Sequence, residues 1–412
     1  MHSGRTALVF ILFGAAAMLA SESDLDSSIA KNRIGTLVIR TRPGAKITVE
    51  QIRHEFWFGA TVATGVFSGR AAPEDIRKWK EIFTSHFNAG VIEASFKWHE
   101  MEAERGKVNY SLVDNILAWA DQEGIPLRGH CIFWGVPNRV QDWVKGLSDD
   151  ELRMALQQRG RSIGARYRDR FAEYDLNNEM MHANYYAQRL GPQITLQMAS
   201  WVKDGDPNAK LFVNDYDITT GNRLDDYVKH IRGLLDMGVP ISGIGVQGHL
   251  HGDSFDPAAL QKALDELAKF NLPIRITEYN FPGQRSKFYT GDRTAKMTPE
   301  EEKAKAEALR QYYRICFAHP AVTGIMMWGF WEGANWIPQS SLYKRDWTPT
   351  PAAAAYEDLV LKQWWTRWSG EAGRDGQVVV RAFYGKHRVT VDGKETVVNL
   401  ARAEKIKLVE VE

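Results

Sequence analysis

One pattern constrains this chain more than any other. From about residue 57 to residue 362, apolar strand-like runs alternate with segments of helical period. The runs fall at 57–63, 87–93, 126–133, 172–177, 211–215, 243–248, 273–279 and 324–329. Helix-period segments follow them at 74–85, 111–122, 149–167, 193–203, 223–237, 257–270, 300–319 and 351–363. Several of these open with proper start signals. Ser148 precedes Asp149-Asp150-Glu151, Asp256 precedes Pro257, and Thr298-Pro299-Glu300-Glu301 places proline in the first turn and acids at the positive end of the helix dipole. The strand runs do not alternate apolar with polar, so both their faces are buried. Eight such alternations predict an α/β fold, a (β/α)8 TIM barrel over residues 57–363. A doubly wound open sheet would need a glycine-rich phosphate turn after an early strand, and none is present.

The two ends read differently. Residues 36–40, a Pro43-Gly44 turn and residues 46–51 predict a hairpin within an N-terminal β segment, 30–56. Residues 377–382, 388–392, 395–399 and 406–411 alternate apolar with polar and form a C-terminal β segment, 376–412. Neither end carries enough apolar residues for a core of its own, so the two are expected to pack together as one small β module beside the barrel. Before them, Arg5 precedes an apolar run at 7–20, shorter than the ~20 residues a spanning helix needs. A charged start, a short apolar stretch and small residues at its end predict a signal peptide over 1–20, a secreted or periplasmic protein and no membrane span in the mature chain. Cys131 sits in a strand-like run and Cys316 in a helix-like one, so two buried free thiols are expected.

Composition narrows the function classes. Lys+Arg 52 against Asp+Glu 51 leaves a formal charge of +1, which is no footprint for nucleic acid or for a polybasic membrane patch. The 14 Trp are the unusual number. They can serve a large core, or they can form flat platforms for a hydroxylated ligand such as a sugar.

Barrel chemistry sits at the C-terminal ends of the strands. The second run ends at Glu93, with Lys97 just beyond. The third carries His130 and leads to Trp134, and the fourth ends in Asn177-Asn178-Glu179. The fifth ends in Asn214-Asp215-Tyr216, the sixth in Gln247-Gly248-His249, and the seventh in Thr277-Glu278. The eighth ends in Trp328, with Trp331 and Trp336 beyond. Carboxylates, amides, imidazoles and indoles therefore converge on one mouth. Cleaving a glycosidic bond needs a proton donor and a second carboxylate, and Glu179 and Glu278 lie on strands that face each other across a barrel. One such Glu alone would more often be a surface group. Glu93, His130, His249 and Glu278 could be imagined as metal ligands, but no HxH or HExxH spacing exists, and neither metal nor cofactor is expected. Trp328, Trp331 and Trp336, in a loop with Gly329, Gly333 and Asn335, read as a ligand-facing wall. Trp364, Trp365 and Trp368 read as packing between module and barrel. Glu55, Glu100, Glu102 and Glu104 read as a solvated face.

At these residues the sequence resembles glycoside hydrolase family 10, the endo-β-1,4-xylanases, in the branch with plant-type members. The motifs are FKWHEMEAERGKVNY, RGHCIFW, YDLNNEMMH, LFVNDYD, GIGVQGHL, IRITEYN and MMWGFWEGANW. The resemblance implies a retaining hydrolase acting on β-1,4-linked xylan or xylo-oligosaccharides, and a monomer is expected. It implies Glu179 as general acid/base and Glu278 as nucleophile. It implies that Asn178 bonds the 2-hydroxyl beside the cleaved bond, that His249 orients Glu278 and keeps it ionised, and that Gln247 sits near both carboxylates. It further implies Glu93, Lys97 and His130 on the glycone side, Trp134, Trp328 and Trp336 around the reacting sugar, and Tyr216 stacking on the leaving-group side. Four departures stand out: Ala94 where the family has Asn, Asn280 where it usually has Asp, Gly135-Val136-Pro137 where it has His-x-Gln, and Asp217 where Asn is common. None touches Glu179, Asn178 or Glu278, so catalysis is expected to survive with an altered substrate preference. Two other readings remain open: a barrel hydrolase for another β-glycan, and a weakly catalytic glycan-binding protein.

Overall fold

The computed structural model describes residues 21–252 and 254–411. The signal-peptide segment, 1–20, lies outside the described residues. The barrel strands are β3 (Trp57–Val62), β4 (Ala89–Ile92), β5 (Leu127–Gly129), β6 (Phe133–Trp134), β7 (Glu173–Asn178), β8 (Leu211–Asp215), β9 (Ile241–Val246), β10 (Ile274–Tyr279) and β11 (Val322–Met327). Two strands precede them, β1 (Ile34–Arg40) and β2 (Lys46–His54). The barrel strands form one parallel sheet in the order β5-β4-β3-β11-β10-β9-β8-β7-β6, and a β5–β7 pairing closes it into a ring of eight staves. The expected third strand is broken: β5 and β6 are its two ends, and His130–Ile132 between them leave the ladder. β4, β7, β8 and β10 are buried along their whole length, because helices cover them outside and side chains fill the lumen.

The helices follow the expected positions. Asp149–Arg166 opens with a capping box between Ser148 and Glu151, and Pro299–Ala318 with one between Thr298 and Glu301. The Asp256 side chain accepts from Ala258 N and Ala259 N at the head of Pro257–Ala268. Behind Pro351–Tyr356 the last helix continues over Glu357–Gln363 with wider, π-type turns. Both cysteines are buried and free.

The lumen holds an unexpected polar layer. Arg128 of β5 pairs with Asp175 and, at 2.5 Å, with Glu173 of β7; Arg275 of β10 reaches the same Glu173 at 2.9 Å. β7 and β10 are not neighbours, so this last contact crosses the barrel. The four side chains are buried, and burial of this kind is tolerated only because each charge meets its opposite.

The expected N-terminal hairpin does not form. β1 pairs antiparallel with β13 (Gln377–Phe383) and parallel with β16 (Ile406–Glu410). β2 enters a different sheet, between β12 (Arg367–Glu371) and β14 (Gly385–Val391), with β15 (Lys394–Leu400) beyond. The Pro43-Gly44 turn is therefore a corner between two layers. Leu37, Ile39, Ile47 and Val49 face Val380, Val389, Leu400 and Val409 in a core distinct from the barrel's. Trp364 packs on Phe317 and Phe58 of the barrel, Trp365 on His54, and Trp368 against the module's core. A helix not foreseen from the sequence, Glu22–Arg33, precedes β1. It is pinned where Arg33 donates to the carbonyls of Phe317, His319 and Val322.

Candidate active site

Glu179 follows β7 directly, with φ at +59°, a conformation few non-glycine residues adopt. Its backbone N–H donates to Asn214 O at 3.0 Å, which holds the turn against β8. The turn aims the carboxyl over the mouth. There Oε1 accepts from Gln247 Nε2 at 2.8 Å and Oε2 from Trp134 Nε1 at 3.0 Å. Burial pushes this carboxyl up from the ordinary carboxylate range. The Gln247 hydrogen bond opposes that shift, and the negative charges of Glu278 and Asp215 reinforce it.

Glu278 lies within β10. Burial alone would raise its pKa, but the positive potential of His130, the hydrogen bond and charge of His249, and Lys97 outweigh it and hold the carboxyl at about 2. His249 Nε2 lies 3.2 Å from Glu278 Oε2, His130 Nδ1 lies 4.0 Å from Oε1, and Asn214 Nδ2 donates to Oε1 at 3.0 Å. Two carboxylates on one mouth, Glu278 buried and Glu179 half-buried, are thus driven in opposite directions.

The surrounding residues fall into place around this pair. Asn178 is buried. Its Oδ1 accepts from Asn214 Nδ2 at 3.0 Å, while its Nδ2 has no partner among the described residues. His130 is held through Nδ1 by Asp175 Oδ2 at 2.8 Å. The Lys97 ammonium lies 4.8 Å from the centre of the Trp134 ring and 5.7 Å from that of Trp328. Trp328 meets His130 edge-on at 5.3 Å, and Trp336 packs 5.1 Å from His249. Glu93 is turned toward the first barrel loop, where its Oε2 accepts from Thr64 N at 3.0 Å. Tyr216 stacks face to face on His182 at 3.5 Å, and His182 is fixed in turn by Asp215 at 2.6 Å.

Two expectations need correction. Trp331 is not part of the wall: it stacks on Trp347 at 4.5 Å and donates to Arg345 O at 3.2 Å. Glu102 is not solvated face. It is partly buried, accepts from Trp98 Nε1 and Gly106 N at 2.8 Å each, and its carbonyl receives Trp143 Nε1 at 3.2 Å. The residues that sequence reasoning gave no role are Asn214, Asp175 and His182. Asn214 is central, since its amide joins Glu278 to Asn178 and its own Oδ1 accepts from Thr277 at 2.7 Å. Its place at a strand end was the available signal. Among the described residues no three His, Cys, Asp or Glu side chains converge as ligands for a metal ion.

The chain is 37% identical over 339 residues to the anti-sigma-I factor RsgI6 of Acetivibrio thermocellus, covering 82% of this chain and 41% of that protein. It is 33% identical over 352 residues to endo-1,4-beta-xylanase 1 of Arabidopsis thaliana, covering 84% of this chain and 34% of that one. This chain therefore spans less than half the length of either relative. Its fold matches the crystal structure of xylanase 10B from Thermotoga maritima with a TM-score of 0.66 at 23% identity, over 75% of this chain and 96% of the other. Residues 49–359 match the sequence model of Glycosyl hydrolase family 10, and the chain belongs to that family.

Proposed function

We propose that this protein is a retaining endo-β-1,4-xylanase, exported by the segment 1–20, that cleaves internal bonds of xylan by double displacement. The observation that carries the reading is the opposed ionisation of Glu278, held at about 2, and Glu179, raised by burial. A nucleophile must be ionised and a general acid protonated at the same pH, and the shifts of this pair run in those two directions.

In the first step a Glu278 carboxylate oxygen attacks the anomeric carbon, and the bond to the leaving oxygen breaks. Glu179 transfers its proton to that oxygen, leaving a glycosyl ester on Glu278. Glu179, now ionised, takes a proton from water, whose oxygen attacks the same carbon and releases Glu278. Asn178 Nδ2 supplies a buried donor for a sugar hydroxyl beside the reacting carbon, and leaving that donor unmatched costs more than binding a hydroxyl there. Trp134, Trp328 and Trp336 offer flat apolar faces to the sugar rings, while Glu93, Lys97, His130 and Gln247 offer polar edges. Tyr216 extends the platform on the side of Glu179.

Incubation of the purified protein with xylohexaose, followed by NMR, tests the reading. Shorter oligosaccharides released in the β configuration are expected, and Glu278→Ala should lower kcat by about 10⁴-fold or more. Products of α configuration would overturn the retaining mechanism. Cleavage of gluco-oligosaccharides in preference would move the substrate to another β-glycan. Binding without turnover would mark a glycan-binding protein.

A further inference from the structure

One buried carboxylate ties the turn of Glu179 to the ring of Tyr216. Asp215 ends β8 and is 1% exposed. Its Oδ2 accepts from Met181 N at 2.9 Å, inside the turn that Glu179 opens. Its Oδ1 accepts from Tyr216 N at 3.0 Å and from His182 Nδ1 at 2.6 Å. A carboxylate can only accept, so Nδ1 carries a proton toward Asp215. The backbone N–H of His182 donates to Glu179 O at 3.1 Å. His182 thus belongs to the same turn as Glu179, and its ring is held at one nitrogen. That ring lies flat on Tyr216, with centres 3.5 Å apart and planes 11° from parallel.

The segment is seated at its far end as well. Tyr185 N donates to Gly135 O at 2.8 Å. A Cβ at position 135 would come 3.2 Å from Tyr185 N and from the Tyr186 ring, and 3.3 Å from Asn184 Oδ1. Glycine at this position, where the family has His, admits so close a seat. The carboxyl of Glu179 bonds to Gln247 and Trp134 and not to His182. The His182 ring therefore reaches the reaction through Tyr216 rather than through the proton of Glu179.

Resting on the xylan reading above, we propose that His182 is a positioning residue for the leaving-group sugar. It backs one face of the Tyr216 ring and leaves the other face to that sugar. An aromatic side chain at a cleft mouth has two torsions to fix before a sugar can stack on it, and a partner ring fixes them in advance. Because Asp215 holds both rings and the Glu179 turn, a sugar seated on Tyr216 brings the oxygen of the scissile bond to a set place beside Glu179.

The test uses 2,4-dinitrophenyl β-xylobioside with added xylobiose. Loss of dinitrophenolate leaves a xylobiosyl ester on Glu278. Water then attacks the anomeric carbon and gives xylobiose, or a hydroxyl of the added xylobiose attacks it and gives xylotetraose. Glu179 takes the proton, and Glu278 is released, in either case. Only the second route needs a sugar seated on Tyr216, so the initial ratio of xylotetraose formed to ester hydrolysed reads that seat. Damage to the carboxylates themselves slows both routes and cancels. His182→Ala is expected to lower the ratio about three- to tenfold, the worth of one aromatic stack. His182→Phe, which can stack but cannot bond Asp215, should keep most of the ratio. His182→Asn, which can bond Asp215 but has no ring, should fall as far as His182→Ala. An unchanged ratio in His182→Ala overturns the inference, and so do equal ratios in the Phe and Asn variants, a comparison that stands even if the Ala variant does not fold. A parent protein that hydrolyses the ester without any transfer overturns it too. If the parent forms no ester from the xylobioside, the xylan reading falls and this inference with it. If the parent transfers normally and the ratio ignores position 182, this inference alone falls.

Discussion

Asn280 Oδ1 lies 2.9 Å from His249 Nδ1, on the side of the ring opposite Glu278. The other amide atom of Asn280, Nδ2, is buried without a partner. His249 is thus held by a neutral group where its relatives' motif would place an anion. Asn280→Asp adds a negative charge to the mouth, which opposes proton loss from Glu179. The basic limb of kcat/KM against pH is expected to move up by on the order of one unit. An unmoved limb in a folded, active variant would show that position 280 does not act on the ionisation of the site.

In the proposed double displacement, Glu179 sets the basic limb in the parent protein and Glu278 the acid limb. Burial raises its pKa, so the protonated, active acid persists above the ordinary value of 4.5 and activity falls as pH rises through the raised value. With the pKa of Glu278 held at about 2, the acid limb lies below the pH of most assays. Gln247 stabilises the ionised form of Glu179 by a hydrogen bond. Gln247→Leu is therefore expected to move the basic limb upward while lowering kcat, and a downward move would contradict this assignment of the limb.

Replacing the acid has a different signature from replacing the nucleophile. Glu179→Ala should slow substrates with poor leaving groups by about 10²–10⁴-fold, the usual worth of general acid catalysis. Aryl glycosides with activated leaving groups should still form the glycosyl ester, and added azide should restore its breakdown as a β-glycosyl azide. Equal losses on poor and activated leaving groups would remove Glu179 from the role of acid.

The charged layer of the lumen makes a stability prediction. Arg128→Met leaves Glu173 with Arg275 as its one ion-pair partner and Asp175 with His130 alone in the barrel core, and is expected to cost about 3–5 kcal/mol in urea unfolding at pH 7. Glu173 has a folded pKa below its ordinary 4.5, because the attraction of Arg275 and Arg128 outweighs the cost of its burial. Its contribution is present above the unfolded pKa and fades as pH falls through the folded one. The gap in stability between the parent and Glu173→Gln should accordingly shrink between pH 7 and pH 3. A gap constant across that range would show that the pair contributes nothing through charge.

The sequence showed the barrel because parallel, doubly covered strands leave a signature in the chain itself, and β8 was located to the residue. Glu179 and Glu278 were legible for a related reason, since polar residues that end a buried run have few structural uses. Other features depended on partners distant in sequence. The hold of Asp175 on His130 joins two strands through the lumen, and nothing in either run announces it. Residues 36–51 alternate as a hairpin does, but they alternate equally well when the two strands face each other from opposed sheets, so pattern could not separate the two. Trp331 in its glycine-bearing loop looks the same whether it meets a ligand or Trp347. The helix Glu22–Arg33 is polar along most of its length and is anchored largely by Arg33, so it offered no apolar stripe to read.

β1 lies between β13 and β16, and both of these follow it by more than three hundred residues. During synthesis Ile34–Arg40 leaves the ribosome with both edges open and no local strand to take them. The barrel strands can find their neighbours as they emerge, each next to the one before it, whereas this strand must wait for almost the entire chain. An unpaired apolar strand is the part of a protein most apt to join the wrong partner. β1 can therefore gain both of its neighbours only once residues 406–410 have been made, and until then its two edges stand open to other strands.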